Sequence, residues 1–466
     1  VAKNTDSVVI LGSGKLLGLQ RRQDGVEMLG ILAILIPIIA FLINGGLAAA
    51  NDLASWFNAF NRLTALVGTS LLLIHMILVA RVPWLEKILG LDKLTHAHKK
   101  LGKPLLYLLI VHTITALISY SISDGVGVLT TLLNLIGGYA DLLLAFIGLL
   151  LMILVVVSSI RAARRKLSYE AWYLIHLLSY ISIFVAIPHQ FSLGTELLAE
   201  PLLATYFIAL YVFVGLNIVW FRFLFPAVQS LALSLRVESV RPEANRTTSI
   251  VIGGKRVGSL GAEAGQFFML RVLTAKQWWR PHPFSVSASP SNTIRFTVGN
   301  RGDDTSLLQE IRPGTRVVLE GPFGVFSESK RTKQHVLLLA AGIGVAPIRA
   351  LAESLASDPG DVTVVYRVTD RSDASLLDEV ERICRERNHA LHVLDGPRPN
   401  GPGFLPKQQA GEQIAPEYAR LLALAPFAAE SDIYICGPSS WSNAAVQALK
   451  KLNVPKASIH VEEFAW

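Results

Sequence analysis

Up to about Pro226 the chain is a succession of apolar stretches, each close to the ~20 residues that cross a bilayer as a helix, separated by short polar connections. Six spans are predicted: Met28–Leu47, Leu63–Val82, Pro104–Ser121, Leu142–Ile160, Ala171–Ala186 extending to Phe191, and Leu202–Phe225. Beyond Pro226 the texture changes. Short alternating runs such as Leu233–Val240, Gln266–Val272 and Thr293–Val298, broken by Gly and Pro, have the period of half-buried strands and predict a small antiparallel barrel. From His335 onward strand, Gly-rich turn and helix alternate. Val336–Ala340 leads into Ala341–Pro347, and Val362–Tyr366 and Ile433–Cys436 read as further buried strands of a parallel sheet with flanking helices. The predicted fold class is therefore multi-domain: a cytosolic N-terminal segment (1–27), a six-helix transmembrane bundle (28–226), a cytosolic antiparallel β-barrel (229–330) and an α/β parallel-sheet nucleotide-binding domain (333–466).

Composition agrees with that division. Hydrophobic residues make up 52% of the 466 and charged residues only 17%, with a mean hydropathy of +0.45. Such a chain is not disordered, and it needs a membrane section. Cys384 and Cys436 are too few for a disulfide-stapled secreted scaffold. The net charge of +8 raises nucleic acid as a partner until the charges are located. Lys3, Lys15, Arg21 and Arg22 precede the first span. Arg81, Lys87, Lys93, Lys99, Lys100 and Lys103 lie between the second and third, and Arg161, Arg164, Arg165 and Lys166 between the fourth and fifth. The connections near Gly45–Ser55, Ser121–Asp141 and Gln190–Glu200 contain no Lys or Arg. By the positive-inside rule this is a multi-pass protein of the cell membrane with both termini cytoplasmic, and nucleic acid is not needed to explain its charge. No cleavable signal peptide is expected, because the first strongly apolar run begins late and is long enough to span. Gly12-Ser-Gly-Lys15 lacks the full spacing of a phosphate loop.

Ionisable residues at membrane depth are costly and mark function. His98 and His112 bracket the third span, fourteen residues or about 21 Å apart; His176 and His189 bracket the fifth, thirteen residues or about 20 Å apart. Two helices with matched upper and lower histidines can hold two stacked bis-histidine haems, with neutral imidazoles as axial ligands. The alternative is interfacial histidines satisfied by carbonyls or water. Thirteen residues do not return to the same helix face, so the fifth helix is expected to bend or change its winding, with Pro188 as the cause. His75 has no partner at its depth and reads as structural; His96 lies outside the predicted span.

In the cytosolic half, Arg280-Pro-His-Pro-Phe-Ser-Val-Ser287 ends a barrel strand. A flavin needs a flat slot and a hydroxyl or amide near its reactive N5, which Pro283, Phe284 and Ser285 can provide. Gly299-Asn-Arg-Gly-Asp-Asp-Thr-Ser306 precedes a helical run, where Gly302, Thr305 and Ser306 suit a pyrophosphate. Each segment alone is equally an ordinary strand end or helix cap. Gly342 and Gly344 allow a phosphate to approach the backbone in a strand–turn–helix context, and Pro347 suits the first helical turn. Arg367 and Arg371, at the end of the next strand, either bind a 2′-phosphate bidentately or form a solvated charged loop. Cys436-Gly437-Pro438 ends another strand, placing Cys436 beside a nicotinamide or simply as a small buried residue.

From the second span to Trp466 these residues resemble the ferric reductase and NADPH oxidase superfamily of transmembrane flavocytochromes b. The resemblance implies that His98 with His176 holds an inner haem b and His112 with His189 an outer one. It implies that Arg62 lies near the outer haem, pairing with a propionate or attracting an anion; the alternative is a snorkelling arginine. The soluble half is similar to the ferredoxin–NADP reductase module. His282-Pro-Phe-Ser285 resembles its flavin motif, Gly342–Pro347 its nicotinamide-nucleotide motif and Cys436–Pro438 its later glycine-rich turn. The terminal Phe464-Ala-Trp466 resembles the aromatic that covers the flavin until nicotinamide displaces it. Asp304 departs from the family, standing where many members have an aromatic. The outer loops are also short, leaving no dedicated domain for a large acceptor.

The implied cofactors are FAD, two haem b and NADPH, with NADH as the alternative. The implied catalytic residues are Ser285, Cys436 and Trp466. A hydride passes to FAD, and electrons then cross singly through both haems to an acceptor: oxygen, giving superoxide, a ferric or other metal chelate, or a quinone. Expected partners are the lipid bilayer and that small acceptor, with no nucleic acid and no obligatory regulatory subunit. The alternative is an electron-supply subunit for a membrane quinone or protein partner. A haem-free transporter fused to a reductase leaves four membrane histidines unexplained.

Overall fold

The computed structural model describes residues 6–244, 246–300, 303–397, 403–407 and 415–463. The chain divides into two compact units, one of Arg22–Leu85 with Leu91–Arg222, the other of Val1–Arg21, Glu86–Gly90 and Phe223–Trp466.

The first unit is helical, and the helices in chain order also include segments of the second unit that precede, interrupt and follow it. In chain order the helices are α1 (Asp6–Ile43), α2 (Leu53–Ile77), α3 (Pro83–Leu89), α4 (Leu91–Asp124), α5 (Val128–Gly138), α6 (Ala140–Ser159), α7 (Arg161–Arg164), α8 (Tyr169–Ser192), α9 (Thr195–Ala199) and α10 (Pro201–Asn217). A π-helical turn, Ile218–Leu224, then continues into α11 (Phe225–Ala232). Among the described residues six helices are long and apolar enough to cross a membrane: Gln20–Ile43, α2, α4, α6, Glu170–Ser192 and Pro201–Ala232. Their outer faces carry large apolar side chains such as Phe184 (75% exposed) and Leu202 (85%), which only lipid covers well. The chain is a multi-pass membrane protein.

Several boundaries differ from expectation. The helix of the first span, α1, begins well before Met28. Helix α2 begins ten residues early, because Asp52 and Ser55 form a capping box. Asp52 accepts from Ser55 N at 2.8 Å, and Ser55 Oγ accepts from Asp52 N at 3.0 Å. Polar Asn58, Asn61 and Arg62 masked that start in the hydropathy pattern. Helix α4 runs for 34 residues and contains His96, which the sequence put outside the span. Helix α8 is α-helical from Tyr169 to Ser192 with Pro188 inside it, so of the expected bend or change of winding the second does not occur in the fifth span; the π turn lies in the sixth. Helix α5 occupies a connection read as loop.

Helix α2 packs along α4 and α6 along α8, around Leu72, Leu105, Leu106 and Met152. A Cβ on Gly148 would stand 2.8 Å from the Ser182 carbonyl, and Ser182 Oγ donates to the Gly148 carbonyl at 2.7 Å. This is the small-residue contact that lets membrane helices approach.

The second unit contains two kinds of sheet. Strands β1 (Arg236–Pro242), β2 (Thr247–Gly253), β3 (Phe267–Val272), β4 (His282–Ser285), β5 (Ile294–Gly299) and β6 (Val317–Phe323) form two antiparallel sheets, ordered β1-β2-β5 and β4-β3-β6. Bridges Arg236↔Arg316 and Val286↔Phe296 join both edges, closing a barrel around Val237, Ile250, Phe268, Leu270, Phe296 and Leu319. Helix α12 (Asp303–Gln309) links β5 to β6.

The remaining elements are β7 (Val336–Ala341), α13 (Val345–Ser354), β8 (Val362–Arg367), α14 (Leu377–Arg387), β9 (Ala390–Leu394), α15 (Glu417–Leu424), β10 (Asp432–Gly437), α16 (Ser439–Lys451) and β11 (Ile459–Glu463). They build a fully parallel sheet, β11-β10-β7-β8-β9. Alternate residues serve opposite faces: Leu338, Val364 and Tyr366 pack with α13 and α14, while Leu337, Leu339 and Ile435 pack with α15 and α16. That two-sided burial explains the near-continuous apolar runs of these strands.

Candidate functional site

Two histidines of α4 are oriented by two carbonyls of α2. His98 Nδ1 lies 3.2 Å from the His75 oxygen and His112 Nδ1 lies 3.1 Å from the Asn61 oxygen. Both pairs of positions are fourteen residues apart, so two antiparallel helices meet twice in the same way. A carbonyl only accepts, so each Nδ1 carries the proton and each Nε2 keeps its lone pair, the arrangement that prepares a histidine to ligate a metal. On α8, His176 Nδ1 is 3.4 Å from Ser159 Oγ, which also accepts from Trp172 Nε1 at 3.1 Å. The His98 and His176 ring centroids are 6.1 Å apart, their planes at 69°. An iron bridging two imidazoles, with metal–nitrogen bonds of about 2 Å, separates the centroids by roughly 6 Å, so the pair fits a bis-histidine haem. His189 lies in the last turn of α8, half-buried.

His75 is not isolated: its ring centroid lies 3.8 Å from that of His98, the two planes tilted by 34°. Near His189, the Gln190 amide oxygen accepts from Tyr211 at 3.0 Å and faces Thr69 Oγ1 at 3.5 Å. Arg62 donates through Nε and Nη2 to Glu196 Oε1, the Nε distance being 2.6 Å. It is this carboxylate, which sequence reasoning missed, that holds the arginine assigned to a propionate.

In the barrel, Ser285 is buried and its Oγ has no hydrogen-bond partner among the described residues. A buried hydroxyl left unsatisfied costs about 1–3 kcal/mol, so the site suits a ligand that supplies a partner. On the same strand the His282 and Phe284 rings stack at 5.9 Å and 15°, Phe284 packing against the barrel core while His282 Nε2 is a second buried polar atom with no hydrogen-bond partner among the described residues. Burial, and then the Arg280 charge, hold the His282 imidazole below its usual range and neutral. Both features fit a flavin. Asp303, Asp304, Thr305 and Ser306 open α12, and Thr305 is half-buried. Gly302, Phe464 and Trp466 lie outside the described residues, as does the Ser306 side chain.

The parallel sheet reverses its winding between β7 and β10, which are neighbours although β8 and β9 lie between them in the chain. Ligands of open α/β sheets bind at such a switch point, beyond the strands' carboxyl ends. Both glycine turns are there. Gly342 has φ +55°, and a Cβ on Gly344 would collide with the Cys436 carbonyl. A Cβ on Gly437 would clash with Ala341 Cβ at 2.9 Å and Trp441 at 2.8 Å. Pro347 lies in the first turn of α13, and Pro438 precedes α16.

Arg367, Arg371 and Cys436 each have two readings in the sequence, and their surroundings differ. Arg367 is buried, and its guanidinium donates to the carbonyls of Leu394 (3.3 Å), Gly396 (2.7 Å) and Pro397 (3.0 Å). It fastens β8 to the chain after β9 and does not present an open fork to a 2′-phosphate. Arg371 is exposed and paired with Glu381 at 2.8 Å. Cys436 is wholly buried; burial and then Glu462 push its thiol well up. This is the small buried residue of the second reading open to it. Finally, Glu379 of α14 takes a bidentate pair from Arg295 of β5 (2.8 and 2.9 Å) and another bond from Arg349 of α13 (2.8 Å), tying barrel to nucleotide domain.

Known proteins divide the chain in the same way. Residues 64–187 match the ferric reductase like transmembrane component, a stretch that takes in His98, His112 and His176 and ends just short of His189. Residues 338–447 match the oxidoreductase NAD-binding domain. The ferredoxin reductase component of 3-ketosteroid-9-alpha-monooxygenase from Mycolicibacterium smegmatis is 29% identical over 249 residues, 50% of this chain and 66% of that protein. The toluate 1,2-dioxygenase electron transfer component of Pseudomonas putida is 26% identical over 242 residues, 51% of this chain and 69% of its own. The chain spans between about half and two thirds of the mycobacterial relatives it matches. Among solved structures, the flavohem-like FAD/NAD binding domain of nitric oxide dioxygenase from Vibrio cholerae is 22% identical, with a TM-score of 0.39 over 49% of this chain and 98% of that one. With a ferric reductase-like transmembrane component ahead of a ferredoxin-reductase-type module, the chain matches the ferric reductase/NADPH oxidase superfamily.

Proposed function

We propose that this protein is a transmembrane oxidoreductase that takes electrons from cytosolic NAD(P)H and delivers them, through FAD and two b-type haems, to an acceptor on the opposite side. The observation that carries the reading is the repeated His–carbonyl pairing of α2 and α4, which leaves two Nε2 lone pairs fourteen residues apart. When bound, FAD exchanges a hydride for single electrons and haem carries them one at a time. The chain's own task is positional. His98, His112, His176 and His189 would hold the haems, and the His75 and Asn61 carbonyls fix the tautomer of His98 and His112. The Ser285 hydroxyl would supply a hydrogen bond to a flavin, and the Gly342–Gly344 and Gly437–Pro438 turns would admit the nicotinamide nucleotide. No side chain needs to act as general acid or base.

Delivery to a membrane quinone is the second reading. It is favoured by the Gln190–Tyr211–Thr69 group, a polar cluster in otherwise apolar helices that can hydrogen-bond a quinone oxygen. The deciding experiment is an anaerobic haem spectrum of the purified, FAD-loaded protein alone during NADPH addition, followed by air. Haem reduction and reoxidation within seconds with superoxide supports oxygen as acceptor. Reduced haem that persists in air until ferric chelate or quinone is added supports a dedicated reductase. A haemless spectrum overturns the membrane half of the reading.

A further inference from the structure

One end of the membrane bundle is formed by the start of α2, the end of α4, the start of α6, the end of α8 and the start of α10. The connections there contain no Lys or Arg, but Asp52, Asp124, Asp141, Glu196 and Glu200 all lie at this end. Among the described residues Arg62 is its one basic side chain of fixed charge. It stands nine residues inside α2, about 14 Å along the helix, where a charge within a membrane span is costly without a partner.

Its partner is delivered by the chain that folds back between α8 and α10. A Cβ on Gly194 would collide with the Gln190 carbonyl, so glycine lets the chain turn tightly before α9 begins. Glu196 then enters at 7% side-chain exposure and receives both Nε and Nη2 of Arg62, whose guanidinium also sits 5.2 Å over the Phe41 ring. The pair is neutral, and what remains at that end is acidic.

We propose that Glu196 is an acceptor-specificity residue. By neutralising Arg62 it removes the one fixed cation an anionic acceptor would approach, so electrons leave to an acceptor without net negative charge. The inference rests on the proposed function and departs from the role in which Arg62 attracts an anion. Fields of this kind change association rates by about 10- to 1,000-fold and are screened by salt.

The test uses the full-length, haem-loaded protein in zwitterionic-lipid nanodiscs. Haems reduced with dithionite, the excess removed, are mixed with oxygen, hexaammineruthenium(III) or ferricyanide at low and high salt. Dithionite bypasses the nicotinamide half. Absent or irreducible haem therefore counts against the proposed function, whereas the order of acceptors judges Glu196. Salt should speed reoxidation by ferricyanide and slow it by the ruthenium cation. Glu196→Gln should raise the ferricyanide-to-oxygen rate ratio by about tenfold or more at low salt, and Glu196→Asp should not. Asp124→Asn, an exposed charge outside the pair, should raise it by a smaller factor even if Glu196→Gln does not assemble. A ferricyanide rate that falls with salt in the unmodified protein, or an unchanged ratio in both neutralised variants, overturns the proposal. Thermal melts give a readout independent of turnover: Arg62→Gln and Glu196→Gln should each lower Tm, and the double variant should lose less than their sum. Strictly additive losses overturn the pairing.

Discussion

His98 Nδ1 lies 3.2 Å from the main-chain carbonyl of His75, and the two ring centroids are 3.8 Å apart with their planes tilted by 34°. His75 thus serves His98 through its backbone, which any residue provides. His75→Ala should retain about two haems per chain by pyridine haemochrome assay, whereas His98→Leu should retain about one. Loss of a haem in His75→Ala would make His75 itself a ligand.

The unsatisfied Ser285 hydroxyl makes a sharper statement about the flavin. Ser285→Ala removes one hydrogen bond worth about 1–3 kcal/mol, so stopped-flow flavin reduction should slow by roughly tenfold or more with FAD content kept. Ser285→Thr should restore most of the rate. An unchanged rate in the alanine variant would remove Ser285 from the flavin edge.

Arg367 and Arg371 looked equivalent in the sequence and are opposites in the fold. Because Arg367 is buried against three carbonyls, Arg367→Ala should destabilise the module by about 2–4 kcal/mol and leave the NADPH-to-NADH ratio of kcat/KM unchanged. Exposed Arg371 is the residue whose replacement by alanine should lower that ratio. A ratio that moves with Arg367 alone would reverse the assignment.

Burial pushes the Cys436 thiol well above its ordinary range and the Cys384 thiol up to about 11. For a thiol, a raised folded-state pKa means that the folded chain holds its proton while the unfolded chain, with pKa about 8.5, releases it. This stabilisation is full below about pH 8 and falls as pH rises past 8.5. Alkylation of the native protein at pH 8 should be slow at both cysteines and rapid after unfolding. Fast native labelling of Cys436 would show an exposed, reactive thiol.

Much of this architecture is legible in the order of the amino acids. The spans, the change to strand period after Pro226 and the glycine turns depend on local hydropathy, helical rise and backbone freedom, and each lies where the pattern puts it, although α2 and α4 begin ten and thirteen residues before the predicted spans. The start of α2 is written in Asp52 and Ser55, but hydropathy averages it away. The equal spacing of Asn61–His75 and His98–His112 is also visible, though nothing in one dimension says that two helices lie antiparallel in that register.

The number of crossings, the order of domains, the depth of the four histidines and the strand–turn–helix of the nucleotide site all follow from residues near one another in the chain, so the sequence suffices for them. Which polar groups meet is settled only by the packing of distant segments. Arg62 found Glu196 across 134 positions, Arg367 turned inward to carbonyls, and Cys436 closed into the core. A charged or hydrogen-bonding side chain has several partners within reach of its chemistry. Packing selects one, because a polar group taken from water must be satisfied where it lands.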